Sequence, residues 1–109
     1  MKKTELYEIH KSLGANMTNF AGYEMPISYG SIIKEHNCVR NSVGVFDVSH
    51  MGEFLVKGEN AENFLQYCCS NDIKKLFVGR AQYNYFPNSN GGIIDDLIVY
   101  KLEEKKYLL

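Results

Sequence analysis

The clearest hydrophobic pattern in the chain runs from Asn88 to Tyr100 and predicts a β-strand entered through a turn. Asn90-Gly91 is the pair that best tolerates positive φ at both centres of a tight hairpin turn. The following residues are β-branched or apolar, apart from the adjacent acids Asp95 and Asp96. Side chains alternate across a strand, so the two acids should lie on opposite faces. Because both faces are otherwise apolar, we expect a strand covered on both sides, where a carboxylate loses hydration and needs a partner or a role.

The preceding strand is expected to pair with this one and to add tyrosines around one acid. With an even-length loop at Asn90-Gly91, Tyr85 faces Asp96, Tyr83 lies two residues further along the ladder, and Tyr100 shares the face of Asp96. A flat aromatic surface with one acid suits a planar heterocycle that carries NH groups. Two plainer interpretations stay open: ordinary aromatic packing of a sheet face, and structural acids near the mouth of the sheet.

Helical and strand patterns place these residues in a larger unit. The predicted helices run from the N-cap candidate Thr4 to a stop at Gly14, from about Ser31 to Val43, and from about Glu59 to Cys69. The predicted strands are Glu53 to Lys57, Arg80 to Phe86, the strand with the two acids, and Tyr107 to Leu109. From about Gly52 this order matches the start of a ferredoxin-like α+β unit that lacks its second helix. Between the first two helices, Asn16 to Gly30 is expected to be an irregular, apolar loop held against the core, a partner or a ligand.

Composition and charge restrict the class of protein. The 109 residues suit one small domain or part of a larger one, and 45% hydrophobic residues can build a core. Twelve basic and 13 acidic residues give a net charge of −1, which argues against nucleic acid or an anionic membrane as the partner. No apolar run approaches the roughly 18 residues of a membrane span, and no signal segment follows the first lysines. We therefore expect a cytoplasmic protein.

Other reactive side chains give weaker signals. The three cysteines show no metal-ligand spacing, so we expect reduced thiols and no metal. Asp47, Ser49 and His50 contain the residue types of a catalytic triad, but neighbours on one extended run point to different faces. His36 on the second helix is interpreted as a core or interface histidine.

Several longer motifs occur together in the order and spacing of one known family. They are Leu6 to Gly14, Asn19 to Pro26, Val45 to Glu53, Ser70 to Asp72 and Gly91 to Tyr100. In these motifs the chain closely resembles the N-terminal part of the T-proteins of the glycine cleavage system, the folate-dependent aminomethyltransferases. The resemblance extends over all 109 residues, although the chains of that family are far longer. Tyr23 replaces a usual tryptophan, and the segment from Tyr85 to Pro87 is more aromatic than is usual.

The resemblance implies an α+β fold, namely the N-terminal part of the aminomethyltransferase folate-binding fold. Residues 1–52 would be the start of folate-binding domain 1, made of helices and loops. Residues 53–109 would be part of a ferredoxin-like domain 2, an incomplete antiparallel βαββ unit truncated at its C-terminus. A chain that stops in mid-strand at Leu108-Leu109 is expected to be a piece of a longer protein.

The resemblance also implies a reaction and a site. The family transfers the aminomethyl carbon from the lipoyl arm of H-protein to tetrahydrofolate, giving methylene-tetrahydrofolate and ammonia. Its essential acid matches Asp96, and its folate contacts in this region match Met51, Tyr83 and Tyr100. Transfer of an iminium-like one-carbon unit needs a positioned amine and a nearby negative charge, with no metal and no covalent protein nucleophile.

Relatives with the same fold leave alternatives open. The chain could belong to a non-catalytic folate-binding module or to a folate-dependent demethylase of the same fold family. On its own, this segment is expected to be inactive and to bind folate weakly, because further folate ligands lie beyond Leu109. It is also expected to self-associate through an exposed sheet surface.

Overall fold

The computed structural model describes residues 1–109, which form two compact units, Met1–Met51 and Gly52–Leu109. No helix in either unit combines the length and the apolar character that a membrane span requires. The first unit contains α1 (Tyr7–Ser12), β1 (Asn16–Phe20), β2 (Tyr23–Ser28) and α2 (Ile32–Asn41). The second contains β3 (Leu55–Lys57), α3 (Ala61–Cys68), a 3₁₀ turn (Ile73–Lys75), β4 (Ala81–Pro87), β5 (Ile93–Glu103) and β6 (Lys106–Leu108).

The expected irregular loop in the first unit is wrong, because β1 and β2 form an antiparallel hairpin there. Its turn is Ala21-Gly22, where both residues have positive φ, 50° and 83°. Pro26 lies within β2 although proline removes a ladder donor. A two-stranded sheet consists only of edge strands, where proline is tolerated, so the sequence signal for a break was misleading.

The first helix is also shorter than predicted, and it buries a different face from the predicted one. Thr4 does not cap it: Leu6 is the N-cap residue, and the Thr4 side chain is buried and donates to Asp47 at 2.9 Å. The apolar residues at helical spacing are partly or largely exposed, whereas Tyr7 and His10 are buried. A helix of six residues follows its long-range contacts rather than its own pattern. The second predicted helix is confirmed and ends at Asn41, slightly before the predicted end.

The second unit has the predicted order of elements and the predicted α+β class. Its four strands form one antiparallel sheet in the order β3-β6-β5-β4. Helix α3 covers one face and forms the core with the 3₁₀ turn and two strands. Four core side chains are fully buried: Leu65, Ile73, Val99 and Tyr107.

The opposite face of β5 is open within these 109 residues, so the chain itself covers only one of the two faces that were expected to be covered. Ile94, Ile98 and Tyr100 are exposed there, whereas Val99 on the other face is fully buried. The alternation predicted from the sequence is therefore present, but a single helical layer covers only one of its faces.

The turn before β5 differs in detail from the prediction. Only Gly91 has positive φ, at 80°, and the connection runs from Asn88 to Gly92. The Asn88 side chain stabilises it by accepting from the backbone of Asn90 and of Gly92. The register is nevertheless the predicted one, and Tyr85 pairs with Asp96.

Candidate functional site

The candidate site lies on the open face of the β4–β5 hairpin. The hydroxyl of Tyr83 donates a hydrogen bond to Asp96 Oδ2 at 2.6 Å, a length typical of a bond to a charged acceptor. Tyr83 pairs with Ile98 and Tyr85 pairs with Asp96, so both tyrosines flank the acid, as predicted. Tyr100 follows on the same face of β5, opposite Ala81. We call these three tyrosines and Asp96, with Ile94 and Ile98, the hairpin face.

Both acids of the pair are exposed within these 109 residues, so the chain itself does not supply the expected loss of hydration. The carboxylate of Asp96 is held by Tyr83, and that of Asp95 accepts from the backbone N–H of Asp96 at 2.9 Å. Asp95 belongs to the face that carries Val99 and Lys101, as alternation requires. The two acids therefore point to different sides of the sheet and have separate surroundings.

The hydrogen bond changes the acidity of the phenol. The bond to Asp96 raises the pKa of Tyr83, and a smaller desolvation and the negative charge of Asp96 act in the same direction. The phenol is therefore neutral at physiological pH and acts as a donor. The Oδ1 atom of Asp96 makes no hydrogen bond to the protein and is free to accept one from a ligand N–H group.

The fourth predicted site residue, Met51, belongs to the first unit. It is exposed at the end of a turn in which its N–H donates to the carbonyl of Val48 at 3.0 Å. The structure thus brings together Tyr83, Asp96 and Tyr100 within one sheet, whereas Met51 lies in the other unit.

A buried polar network in the first unit was missed by sequence reasoning. Asp47 accepts from Thr4 at 2.9 Å and from His10 Nε2 at 2.8 Å, and its other oxygen accepts from the backbone of Ser49 at 2.9 Å. His10 Nδ1 in turn meets the hydroxyl of Tyr29. Only 2% of the Asp47 side chain is exposed. Nothing in the local pattern links residues separated by 37 positions, so no sequence signal could have found this pair.

The network explains the acidity of Asp47 and excludes the triad. The hydrogen bond from His10, followed by those from Ser49 and Thr4, holds the pKa of Asp47 well below its usual range against the opposing effect of burial. His50 is not its partner, because that ring packs edge-on against Phe20 instead. In this structure Asp47 is therefore paired with His10 and not with His50.

Two further features are weaker candidates for a site. An apolar cleft of about 500 Å³ lies between β2 and α2, lined among others by Met25, Ile27 and Val39. Its two carboxylates, Glu35 and Asp47, already accept hydrogen bonds from the protein. No three His, Cys, Asp or Glu side chains converge in an arrangement that could hold a metal ion. The hairpin face is the better candidate because it combines a fixed acid with aromatic rings.

The fold and the hairpin face define a segment of an α+β protein with a polar and aromatic surface on an open sheet face. The chain belongs to the GCVT N-terminal domain family, whose sequence profile matches residues 6–109. It is 60% identical over all its 109 residues to an aminomethyltransferase of Thermus thermophilus and covers 31% of that protein. It is 62% identical to an aminomethyltransferase of Phocaeicola vulgatus, again over its whole length, and covers 30% of it.

A solved structure agrees with these relatives. The aminomethyltransferase T of the glycine cleavage system from Bartonella henselae superposes with a TM-score of 0.87 at 40% identity. The superposition covers 98% of this chain and 30% of that one. The chain thus spans about 30% of the length of the relatives it matches, and the fold class and the resemblance to the T-proteins are confirmed.

Proposed function

We propose that this chain is the folate-facing N-terminal segment of an aminomethyltransferase of the glycine cleavage system. The proposed reaction moves the aminomethyl carbon from the lipoyl arm of H-protein to tetrahydrofolate and releases ammonia. Tetrahydrofolate, the co-substrate, supplies the amine nitrogens that receive the carbon. The observation that carries the proposal is the Tyr83–Asp96 hydrogen bond on an open aromatic sheet face. Membership of a family with aminomethyltransferase relatives supports the same assignment.

Asp96 is proposed as the catalytic residue. Its Oδ2 is fixed by the 2.6 Å bond from Tyr83, which leaves Oδ1 free to hold an N–H group of the bound heterocycle. A fixed carboxylate close to the migrating carbon stabilises the positive charge that develops on an iminium-like unit. Because this charge is already in place before the reaction, little reorganisation is needed during transfer.

The aromatic residues of the hairpin face are proposed to bind the planar ring system. Tyr83 and Tyr100 are both exposed on the side of the sheet that carries Asp96, so their rings are available for stacking or edge contacts. Met51 is proposed as an additional contact from the first unit, where its thioether is exposed. These groups fit a flat ligand with an apolar body and polar N–H edges.

The organisation of the complete enzyme is also part of the proposal. Residues 1–52 would contribute to folate-binding domain 1 and residues 53–109 to a ferredoxin-like domain 2, with the remaining folate ligands supplied by a polypeptide of the relatives' length. Lipoylated H-protein is the proposed partner, and the cytoplasm is the proposed compartment. By itself the chain is expected to be inactive and to bind tetrahydrofolate weakly.

A hybrid enzyme tests the function directly. In this hybrid, the 109 residues replace the matching 31% of the Thermus thermophilus relative. Production of methylene-tetrahydrofolate and ammonia from aminomethylated H-protein is the expected result. A hybrid that binds tetrahydrofolate but does not turn over aminomethylated H-protein would instead favour a non-catalytic folate-binding module. Methyl transfer to tetrahydrofolate from a small methylated donor would favour a demethylase.

A further inference from the structure

The Ser70-Asn71-Asp72 motif lies along the outer edge of β4, the strand that carries Tyr83. Ser70 donates from its backbone N–H to the carbonyl of Tyr85 at 3.1 Å and accepts from the N–H of Tyr85 at its Oγ, also at 3.1 Å. An edge strand otherwise leaves such groups unpaired. The motif therefore pairs part of the backbone of β4 on the side away from β5.

Asn71 extends this contact to the residue that reaches the candidate site. Its side-chain Nδ2 donates to the carbonyl of Tyr83 at 3.3 Å, and its backbone N–H donates to Asn84 Oδ1 at 2.8 Å. Asn84 is 1% exposed and points away from the hairpin face, between its two tyrosine neighbours in sequence. The turn that contains Asn71 thus bonds directly to the backbone of Tyr83 and also bonds to the side chain of Asn84.

The buried amide of Asn84 is nearly fully used. Its Nδ2 lies 3.1 Å from Gln82 Oε1, and Gln82 Nε2 donates to the carbonyl of Asp72 at 2.9 Å. The bonds form a closed path from the motif through Gln82 and Asn84 and back to the motif. A closed network of satisfied polar groups in a covered site fixes one geometry rather than several.

Tyr83 needs such support because its own side chain packs poorly. Tyr83 is 62% exposed, so packing of its ring alone does not set the position of the side chain. The 2.6 Å bond to Asp96 requires the ring to point diagonally across the ladder. Small shifts of the Tyr83 backbone would lengthen that bond.

We propose that Asn71 and Asn84 are positioning residues, which hold the Tyr83 backbone so that its hydroxyl fixes Asp96 for ligand binding. The expected effect on the enzyme rests on the proposed function, whereas the hydrogen bonds that hold Tyr83 do not depend on it. Simple protection of the β4 edge would need only the two bonds of Ser70, whereas the Asn71 side chain also bonds to the carbonyl of Tyr83. The Asn84 side chain ties the next residue of β4 to the same turn. The motif then serves the site without touching the ligand.

The first test uses the chain itself with ¹³C-labelled tyrosine. Asn71→Ala removes one exposed side chain, its bond to the Tyr83 carbonyl and the bond that its Oδ1 accepts from the Asp72 N–H at 2.8 Å, so the fold should persist. With Tyr83 less well held, the pKa of its phenol is expected to fall towards the ordinary tyrosine value, the same direction that we expect when Asp96 is replaced by asparagine. Asn63→Ala makes the same chemical change on the exposed face of α3 and is expected to leave the titration unchanged. A Tyr83 titration in Asn71→Ala that matches the unmodified chain would overturn the inference.

Asn84→Ala provides the second variant and enzyme kinetics provide the second measurement. In the hybrid enzyme, both Asn71→Ala and Asn84→Ala are expected to lower kcat/KM for tetrahydrofolate roughly 3- to 10-fold, the effect of one neutral hydrogen bond. A loss confined to thermal stability, with kcat/KM unchanged, would mean that the motif only protects the edge and would refute the inference. If the hybrid shows no transfer while the Tyr83 titration still shifts, the proposed function fails and the positioning stands.

Discussion

Tyr83 reaches Asp96 Oδ2 at 2.6 Å although the two residues are not partners in the β4–β5 ladder. The ladder pairs Asp96 with Tyr85 and Tyr83 with Ile98, so the contact runs diagonally across the sheet. Diagonal neighbours lie about 7–8 Å apart at Cα, a separation that a tyrosine side chain can bridge. The contact therefore depends on the register, because a slip of one residue would move Asp96 to the other face.

The pKa of the Tyr83 phenol depends on this contact. The hydrogen bond to Asp96 stabilises the neutral phenol and raises its pKa, so Asp96→Asn should lower the Tyr83 pKa towards the ordinary value of about 10. Asp95→Asn is the matched control, since Asp95 lies on the other face, and should change little. Titration of the ¹³Cζ resonances, with Tyr83→Phe for assignment, measures both. Equal shifts in the two variants would mean that the contact is not specific to Asp96.

The Asp47–His10 pair predicts how stability depends on pH. The pKa of Asp47 is lower in the folded chain than in the unfolded one, so the unfolded state takes up protons first as the pH falls. The stabilisation is complete above the ordinary carboxyl range near pH 4 and is lost as the pH falls from there towards the lowered pKa. Urea unfolding followed by the Cε1–H NMR signal of His10 should show this loss.

Removal of the charge should abolish that pH dependence. Asp47→Asn is expected to cost roughly 2–4 kcal/mol near neutral pH, because buried donors on Thr4 and His10 lose a charged acceptor. Glu5→Gln removes an exposed carboxylate of the same unit and should change the free energy of unfolding by less than about 0.5 kcal/mol. An Asp47→Asn chain as stable as the unmodified one would show that the network contributes nothing net.

Two Glu–Lys pairs of the second unit should differ in strength. Glu62 contacts the buried Lys101 at 3.6 Å and also accepts from Tyr107 at 3.2 Å. Glu62→Gln is expected to lower the free energy of unfolding by about 1–2 kcal/mol, since Lys101 would keep only its exposed partner. Glu59→Gln breaks an exposed pair and should cost at most about 0.5 kcal/mol. Amide exchange at Val99, in the core, measures both, and equal costs would refute the distinction.

The hairpin face should make the isolated chain self-associate. Ile94, Ile98 and the three tyrosines form a largely apolar exposed surface, the kind that drives association. Ile94→Lys should weaken association at least about tenfold, because a lysine would have to be desolvated in the interface. Tyr67→Lys, which changes an isolated exposed ring on α3, should have little effect. Light scattering that finds the unmodified chain monomeric at millimolar concentration would contradict the prediction.

Local patterns predicted the order of the elements and the strand register of the second unit, but they did not predict the β1–β2 hairpin of the first. Period-two alternation and the Asn90-Gly91 turn set the register that places Tyr85 opposite Asp96. In the first unit, Pro26 and Gly22 indicated a loop, whereas the hairpin tolerates both at its edges and its turn. The inward face of α1 is set by the bond from His10 to Asp47, which no local pattern contains.

The sequence predicted which residues share the candidate site, but it did not predict how exposed that site is. Alternation alone groups Tyr83, Asp96 and Tyr100 on one face. The exposure of that face in this chain was not predictable. An apolar strand face indicates that another element can cover it, but it does not indicate which element does so. The roles of Asn71 and Asn84 were hidden for a similar reason, since hydrogen bonds between a turn and a strand edge leave no periodic signal.

Steady-state kinetics of Asp96→Asn and Asp95→Asn in the hybrid enzyme test the central claim most directly. With aminomethylated H-protein and saturating tetrahydrofolate, Asp96→Asn should lower kcat by roughly 10²- to 10³-fold, as expected when one preorganised electrostatic group is lost. The near-isosteric change should retain most of the affinity for tetrahydrofolate. Asp95→Asn should keep kcat within about 3-fold, because its side chain belongs to the opposite face. Loss of turnover in Asp95→Asn, with Asp96→Asn close to the unmodified enzyme, would contradict the assignment of the catalytic residue.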